Sequence, residues 1–170
     1  MSPPVGRRSG GAPAADLPDP DTLHVRAVLL ASEDREIPRP AVDLAARIAK
    51  RSGAPVHVFT LARIWGTSLG FPNPGLMPSK REWEQQRRIA AKAVARLERK
   101  GVKADARVIG TRSGAKRIVA EATRLGCDAI VMGADPPRNR VVANFMWSQE
   151  PYRVRRRAGV PVFLVLESGS

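Results

Sequence analysis

Six arginines near the end of the chain are the residues best suited to binding chemistry. A guanidinium group carries a permanent positive charge and donates paired hydrogen bonds to phosphate. The six lie within one 20-residue stretch in which Glu150 is the only acidic residue, and contacts to a nucleic-acid backbone require nothing more specific. They are Arg138, Arg140, Arg153, Arg155, Arg156 and Arg157. The cluster predicts either a nucleic-acid- or ribosome-binding surface or a solvated helix face, and no RNA-binding sheet motif accompanies it.

Two glycines follow apolar runs and are candidates for phosphate binding. The run 128–132 ends at Gly133 and is typical of a fully buried strand, while Gly110 follows a second strand pattern. Parallel sheets bind ligands where their strands end. The turn 110–113 resembles a phosphate cradle because Ser113 is placed to cap the following helix, although such a turn is usually only a cap.

Sequence motifs for catalysis are missing. His24 and His57 both lie in strand patterns, and neither a G-x-S-x-G nucleophile motif nor a G-x-x-x-x-G-K-[S/T] phosphate loop is present. The single cysteine, Cys127, has no metal-ligand spacing around it and fits a small packing position. We therefore expect a protein that is not an enzyme and that binds no metal.

The net charge of +13 resides in the body of the chain. Residues 1–22 sum to −1, so the rest carries +14, which attracts polyanions over a Debye length or more. The same charge also fits a well-solvated arginine-rich surface.

Residues 1–22 contain five prolines and three glycines, and we expect them to form a disordered arm before a domain spanning 23–167. With no apolar segment of membrane length and no signal peptide, the expected location is cytoplasmic.

The remaining sequence alternates strand and helix patterns. Apolar runs predict five strands, and amphipathic stretches between them predict helices, the longest of which begins with a capping box at Ser79 and Glu82. The predicted strands cover 25–31, 55–61, 104–109, 129–132 and 160–166. Such alternation favours an open parallel sheet with helices on both faces, and the loop 62–78 is long enough to be functional.

The ordered set of these pieces resembles the universal stress protein family over residues 24–167. The resemblance rests on the acidic turn after the first strand, Gly53-Ala-Pro-Val-His-Val, Gly110, the run ending at Gly133, and Ala158-Gly-Val-Pro-Val162. It implies a Rossmann-like, doubly wound three-layer α/β/α fold with sheet order 3-2-1-4-5. It also implies a homodimer that uses the last strand and, in one branch of the family, ATP held between the loops after strands one and four.

The ATP motif of that branch, G-x2-G-x9-G-[S/T], is degenerate in this chain. Gly133 supplies the first glycine, but Pro136 stands at the second and has no N–H to donate. The final pair is Met146-Trp147 or, aligned from the last strand, Ser148-Gln149. The aspartate expected after the first strand falls nearest Ser32, with Glu33 and Asp34 close behind. The candidate nucleotide pocket is Ser32, Asp34, Gly110, Met132, Gly133, Ser148 and Gln149.

The resulting functional hypothesis is a non-catalytic domain that acts in stress adaptation by binding a ligand or partner. ATP or another adenine nucleotide is expected to bind weakly or not at all. Trp147 or Tyr152 could stack on a ring in a reshaped pocket, although packing over the end of the sheet also accounts for the large side chains of 145–147. The alternative is a nucleic-acid- or ribosome-associated protein that uses the arginine cluster, and no membrane partner is expected.

Overall fold

The computed structural model describes residues 17–64, 77–135 and 150–166, which contain five strands and four helices. In chain order these are β1 (Val28–Glu33), α1 (Arg39–Ser52), β2 (Val56–Arg63), α2 (Lys80–Arg99), β3 (Ala104–Thr111), α3 (Gly114–Arg124), β4 (Ala129–Ala134), α4 (Glu150–Arg157) and β5 (Val162–Leu166). All neighbouring strands pair in parallel, in the order β3-β2-β1-β4-β5. The predicted α/β fold and sheet order are confirmed.

Helices cover both faces of the sheet. Alternate residues of the central strands point to opposite faces, so β1 contributes Val28 and Leu30 to a core beneath α1 and α2. Leu29 and Ala31 belong to a second core beneath α3 and α4. Every residue of β1 is buried, as expected for a strand covered on both faces.

The ends of the helices follow their local sequence. The capping box of α2 is confirmed, with the Glu82 N–H donating to Ser79 Oγ at 3.2 Å and the Ser79 N–H donating to the Glu82 carboxylate. Pro38 occupies the N-cap of α1, and Gly53 ends that helix with φ of +63°. None of the helices in the described part of the chain is long and apolar enough to cross a membrane.

Three strands continue past the glycine or polar residue at which the sequence predicts their ends. Ser32 and Glu33 are the last two residues of β1, because they pair with Thr60 and Leu61 of β2. Gly110 lies within β3, and Gly133 lies within β4, opposite Val165. The predicted turn positions of Ser32, Gly110 and Gly133 are therefore wrong: backbone pairing with a neighbouring strand extends each strand by about two residues.

Parts of two predicted segments lie outside the described residues. These are 1–16 of the N-terminal arm and 65–76 of the long loop. Residues 17–22 of the arm contain a turn in which the Thr22 N–H donates to the Asp19 carbonyl, and Arg47 forms an ion pair of 2.9 Å with Asp21.

Candidate functional site: two regions at the carboxyl edge of the sheet

The crevice between the loops that follow β1 and β4 is bridged by an ion pair. Arg35 donates two hydrogen bonds of 3.1 Å to the two carboxylate oxygens of Asp135, and both side chains are largely buried. The Tyr152 hydroxyl donates to the Asp135 carbonyl at 2.7 Å, which connects α4 to the same loop. Paired, parallel N–H···O bonds make this a strong and directional contact. The two loops are thereby tied together across the crevice.

Two of the predicted pocket residues line the β1 side of this crevice. The Ser32 hydroxyl donates to the Arg35 carbonyl at 2.7 Å and so closes the turn that carries Arg35. Asp34 has a φ of +49°, and its carboxylate accepts a hydrogen bond of 3.3 Å from the Gln86 amide in a part-buried contact. Partial burial, followed by the proximity of Glu82, raises the pKa of Asp34. Both polar groups thus have partners within the protein.

The predicted glycines serve close packing. A Cβ atom on Gly133 would lie 2.6 and 2.7 Å from two ring carbons of Pro38, so only glycine fits beneath the start of α1. A Cβ on Gly110 would lie 3.2 Å from the ring of Trp83. Met132 is buried in the core beneath α3 and α4. The structure therefore explains these three residues by packing.

Several predicted residues fall outside the part of the chain that the structure describes. These are Ser148 and Gln149 of the nucleotide pocket, Arg138 and Arg140 of the arginine cluster, and Trp147.

A second region, the α3–α4 cleft, opens between the start of α3 and one side of α4 and has a volume of about 350 Å³. Basic side chains from three elements converge on it: Arg63 at the end of β2, Arg112 and Lys116 around the start of α3, and Arg153 and Arg157 on α4. Glu150 also lines the cleft. Both helices direct their amino-terminal ends, with their partial positive charge, towards this edge of the sheet.

Two buried carboxylates pair with cations of this region: Glu150, which lines the cleft, and Glu33, which contacts the lining residue Arg63. Glu33 accepts a hydrogen bond of 3.2 Å from Arg63, while its other oxygen, Oε2, is buried without a hydrogen-bond partner among the described residues. Glu150 accepts from the Ala115 N–H at the start of α3 and from Arg153 at 3.3 Å. Burial raises the pKa of Glu33, and the nearby charge of Glu150 raises it further, against the opposing effect of Arg63.

The predicted N-cap residue of α3 is confirmed, but its predicted capping role is not. Ser113 occupies the N-cap position, but its side chain makes no capping hydrogen bond. The carboxylate of Glu150 accepts the Ala115 N–H instead. An acidic side chain from α4 thus takes the role that the sequence suggested for a neighbouring serine, and it leaves no open backbone cradle for phosphate at that N–H.

The structure divides the predicted arginine cluster. Arg153 and Arg157 are one helical turn apart and line the α3–α4 cleft, whereas Arg155 and Arg156 are exposed outside it. The cleft gains its other cations, Arg63, Arg112 and Lys116, from elements distant in sequence, and these residues were not predicted. A signal for two of them exists in the sequence, because Arg112 and Lys116 flank the predicted start of α3.

The side chains of His57 and Cys127 are accounted for by contacts or burial within the fold. The Nδ1 atom of His57 lies 2.8 Å from an Asp105 carboxylate oxygen, a contact between neighbouring positions of β2 and β3. Burial raises the pKa of Cys127 to about 12, which keeps the thiol protonated and unreactive. Across residues 17–64, 77–135 and 150–166, no three His, Cys, Asp or Glu side chains are grouped as a metal site requires.

Comparison with known proteins relates the chain to one family. The model of the universal stress protein family matches residues 24–165. Solved structures with the same fold include a universal stress protein family member from Burkholderia pseudomallei, at 22% identity and a TM-score of 0.60 over 82% of this chain and 95% of that one.

Two further structures contain adenine nucleotides. A universal stress protein in complex with cAMP is 20% identical, with a TM-score of 0.60 over 86% of this chain and 100% of that one. The Archaeoglobus fulgidus universal stress protein in complex with dAMP is 18% identical, with a TM-score of 0.59 over 81% of this chain and 95% of that one. No curated protein sequence matches the chain.

Proposed function

The chain belongs to the universal stress protein family, and we propose that it acts in stress adaptation by binding a ligand or partner, without catalysing a reaction. We further propose that its affinity for ATP in the crevice after β1 and β4 is weak or lost. Relatives bind cAMP and dAMP, which makes an adenine nucleotide the natural ligand to test.

The observation that supports weak ATP binding is the Arg35–Asp135 bridge. A nucleotide held between the two loops would have to displace a largely buried, bidentate ion pair. The degenerate motif acts in the same direction, since Pro136 offers no N–H to a phosphate. Two lost charge-assisted hydrogen bonds, at about 1.5–3 kcal/mol each, correspond to a loss of about two to four orders of magnitude in affinity.

Calorimetry with adenosine, AMP, ATP and GTP tests this proposal. We expect no adenosine binding and no preference for ATP over GTP. Micromolar, adenine-selective ATP binding would contradict it. Adenosine is the decisive probe, because it has no phosphate and reports on the base pocket alone.

A pair of double variants tests whether the bridge is the cause. Arg35→Ala with Asp135→Ala removes it, and we expect adenosine affinity to rise. Arg26→Ala with Asp128→Ala is the matched control, because this pair, 2.7 Å apart, also involves an Arg and an Asp and lies at the opposite ends of β1 and β4. Equal behaviour of the two variants would leave the missing motif glycines as the sole reason for weak binding.

We also propose a homodimer through β5. This strand pairs with β4 on one side, and Leu166 at its end is 51% exposed. An apolar edge strand is a liability unless a partner covers it. Sedimentation should give a dimer for the parent and a monomer for Leu166→Lys, and a monomeric parent at micromolar concentration would exclude this assembly.

A further inference from the structure

The charges around the α3–α4 cleft do not balance. Arg63 is paired with Glu33 at 3.2 Å and Arg153 with Glu150 at 3.3 Å, so two of the five cations have a carboxylate partner. The other three, Arg112, Lys116 and Arg157, form no ion pair with any described residue. The cleft therefore presents three exposed positive charges that no acidic side chain of the described residues neutralises.

We propose that this cleft binds the di- or triphosphate group of a phosphorylated ligand. The three unpaired cations come from opposite walls, Arg112 and Lys116 from the start of α3 and Arg157 from α4. Charges that converge on one concavity focus the electrostatic potential there and attract multivalent anions. A volume of about 350 Å³ is within the range of small-ligand sites.

In this proposal the cationic side chains bind the phosphate, rather than the backbone N–H groups at the amino-terminal end of α3. Glu150 already accepts the Ala115 N–H, so an incoming phosphate is held by side-chain donors above that carboxylate. Glu150 also gives the site selectivity, because its carboxylate in the lining disfavours an anion that cannot reach several cations at once. A single phosphate contacts fewer of the three cations than a diphosphate or triphosphate does.

A compact polyanion fits the cleft better than a nucleic-acid strand. A nucleic-acid backbone spreads its charges along an extended path and is matched by a basic stripe or ridge. Here three cations meet in one small cleft, and the exposed Arg155 and Arg156 do not line it. The group recognised could belong to a nucleotide or to inorganic polyphosphate, and the two share this phosphate chemistry.

Calorimetry of the full chain with orthophosphate, pyrophosphate and tripolyphosphate, at physiological salt, tests the proposal. We expect affinity to rise in that order. The variant Arg112→Gln/Lys116→Gln/Arg157→Gln should raise the Kd of tripolyphosphate by about a thousandfold or more, since each of the three charge-assisted contacts contributes about tenfold or more. All three residues are exposed, so the fold should be retained, and circular dichroism verifies this.

The matched control is Lys50→Gln/Arg51→Gln/Arg99→Gln, which removes the same charge from the last turns of α1 and α2. These turns lie at the opposite edge of the sheet, and we expect less than about a threefold change in Kd because salt screens distant charges. Equal losses in the two variants would overturn the proposal, as would the absence of tripolyphosphate binding.

Two competition experiments complete the test. Binding of single-stranded RNA by a protein that does not bind tripolyphosphate would overturn the proposal in favour of a nucleic-acid surface. Competition between tripolyphosphate and ATP shows whether the two bind at one site. Comparison of the Kd of each alone then separates a nucleotide source of the phosphate group from an inorganic one. Because tripolyphosphate has no base, its binding is independent of whether the crevice after β1 and β4 accepts adenosine.

Discussion

The crevice after β1 and β4 and the α3–α4 cleft lie at the same edge of the sheet and use their charges differently. In the crevice, the Arg35 guanidinium is matched by the Asp135 carboxylate, and the Ser32 hydroxyl donates within the same turn. In the cleft, five cations outnumber the two carboxylates that pair with them. Electrostatic pairing stabilises the loops in the first region, while the second retains charge that can bind a ligand.

A glycine beside each region shows the same contrast in packing. Gly133 borders the crevice, and a Cβ there would meet the Pro38 ring, which is fixed at the start of α1. Gly114 borders the cleft, and a Cβ there would lie 2.8 to 3.0 Å from the Glu33 carboxyl group. A proline ring cannot rotate away, whereas a glutamate side chain can adjust. The crevice should thus be the more rigid of the two regions.

The largest effect is expected for Gly133→Val. Its Cβ would lie 2.6 Å from Pro38, and the two methyl groups of valine would add to the overlap, so we expect a loss of about 3 kcal/mol in unfolding free energy. Gly159→Val is the control, because nothing lies within 4 Å of a Cβ at that position, and its change should stay within about 0.5 kcal/mol. Urea unfolding measures both. Similar losses in the two variants would show that crevice packing does not set the requirement for glycine.

Glu150→Ala should have the next largest effect. It removes the acceptor of the buried Ala115 N–H, and an unsatisfied buried donor costs about 1–3 kcal/mol. Glu150→Gln keeps an acceptor oxygen and should recover most of that loss. Ser113→Ala should change stability by less than about 0.5 kcal/mol, since the serine side chain makes no capping bond. A larger loss for Ser113→Ala than for Glu150→Ala would contradict this account of the helix cap.

The sequence predicted the fold well because the signals of the fold are local. Apolar runs, the capping box at Ser79 and the helix stop at Gly53 each depend on neighbouring residues. The strand ends were missed, because Gly110 and Gly133 were interpreted as turn residues although both lie in strands against a ring, which at Gly133 requires glycine. Local patterns carry no information about which side chain lies over a glycine.

The site was harder to predict because it depends on contacts between distant parts of the chain. Glu150 and Ala115 are 35 residues apart, and Arg35 and Asp135 are 100 apart. Of the six arginines in the predicted cluster, Arg153 and Arg157 line the α3–α4 cleft, where they meet cations from β2 and α3. Charge counting identified a basic segment of the chain, and only the fold shows which distant cations lie beside it.

The smallest expected effect is on the pH dependence of stability. It is tested at two buried carboxylates, Glu33, which pairs with Arg63 of the cleft, and Glu121 on α3. Burial, together with nearby Glu150 and Asp34, raises the pKa of Glu33 despite Arg63. Hydrogen bonds from Arg124 and then Arg107 lower the pKa of Glu121 against its burial. Ionisation of Glu33 therefore opposes folding, whereas ionisation of Glu121 favours it.

The two carboxylates should consequently give opposite pH dependences of stability. Between the ordinary value of 4.5 and the raised pKa, the folded state holds the Glu33 proton more tightly, so this residue's contribution to stability falls as pH rises. Below 4.5 the unfolded state holds the Glu121 proton more tightly, so that contribution is lost as pH falls. Urea unfolding measures both effects. Above pH 4.5 the stability of Glu33→Gln relative to the parent should increase as pH rises, and below pH 4.5 the stability of Glu121→Gln relative to the parent should decrease as pH rises. Changes of the same sign would show that the net charge of the protein, rather than the partners of each carboxylate, governs its acid response.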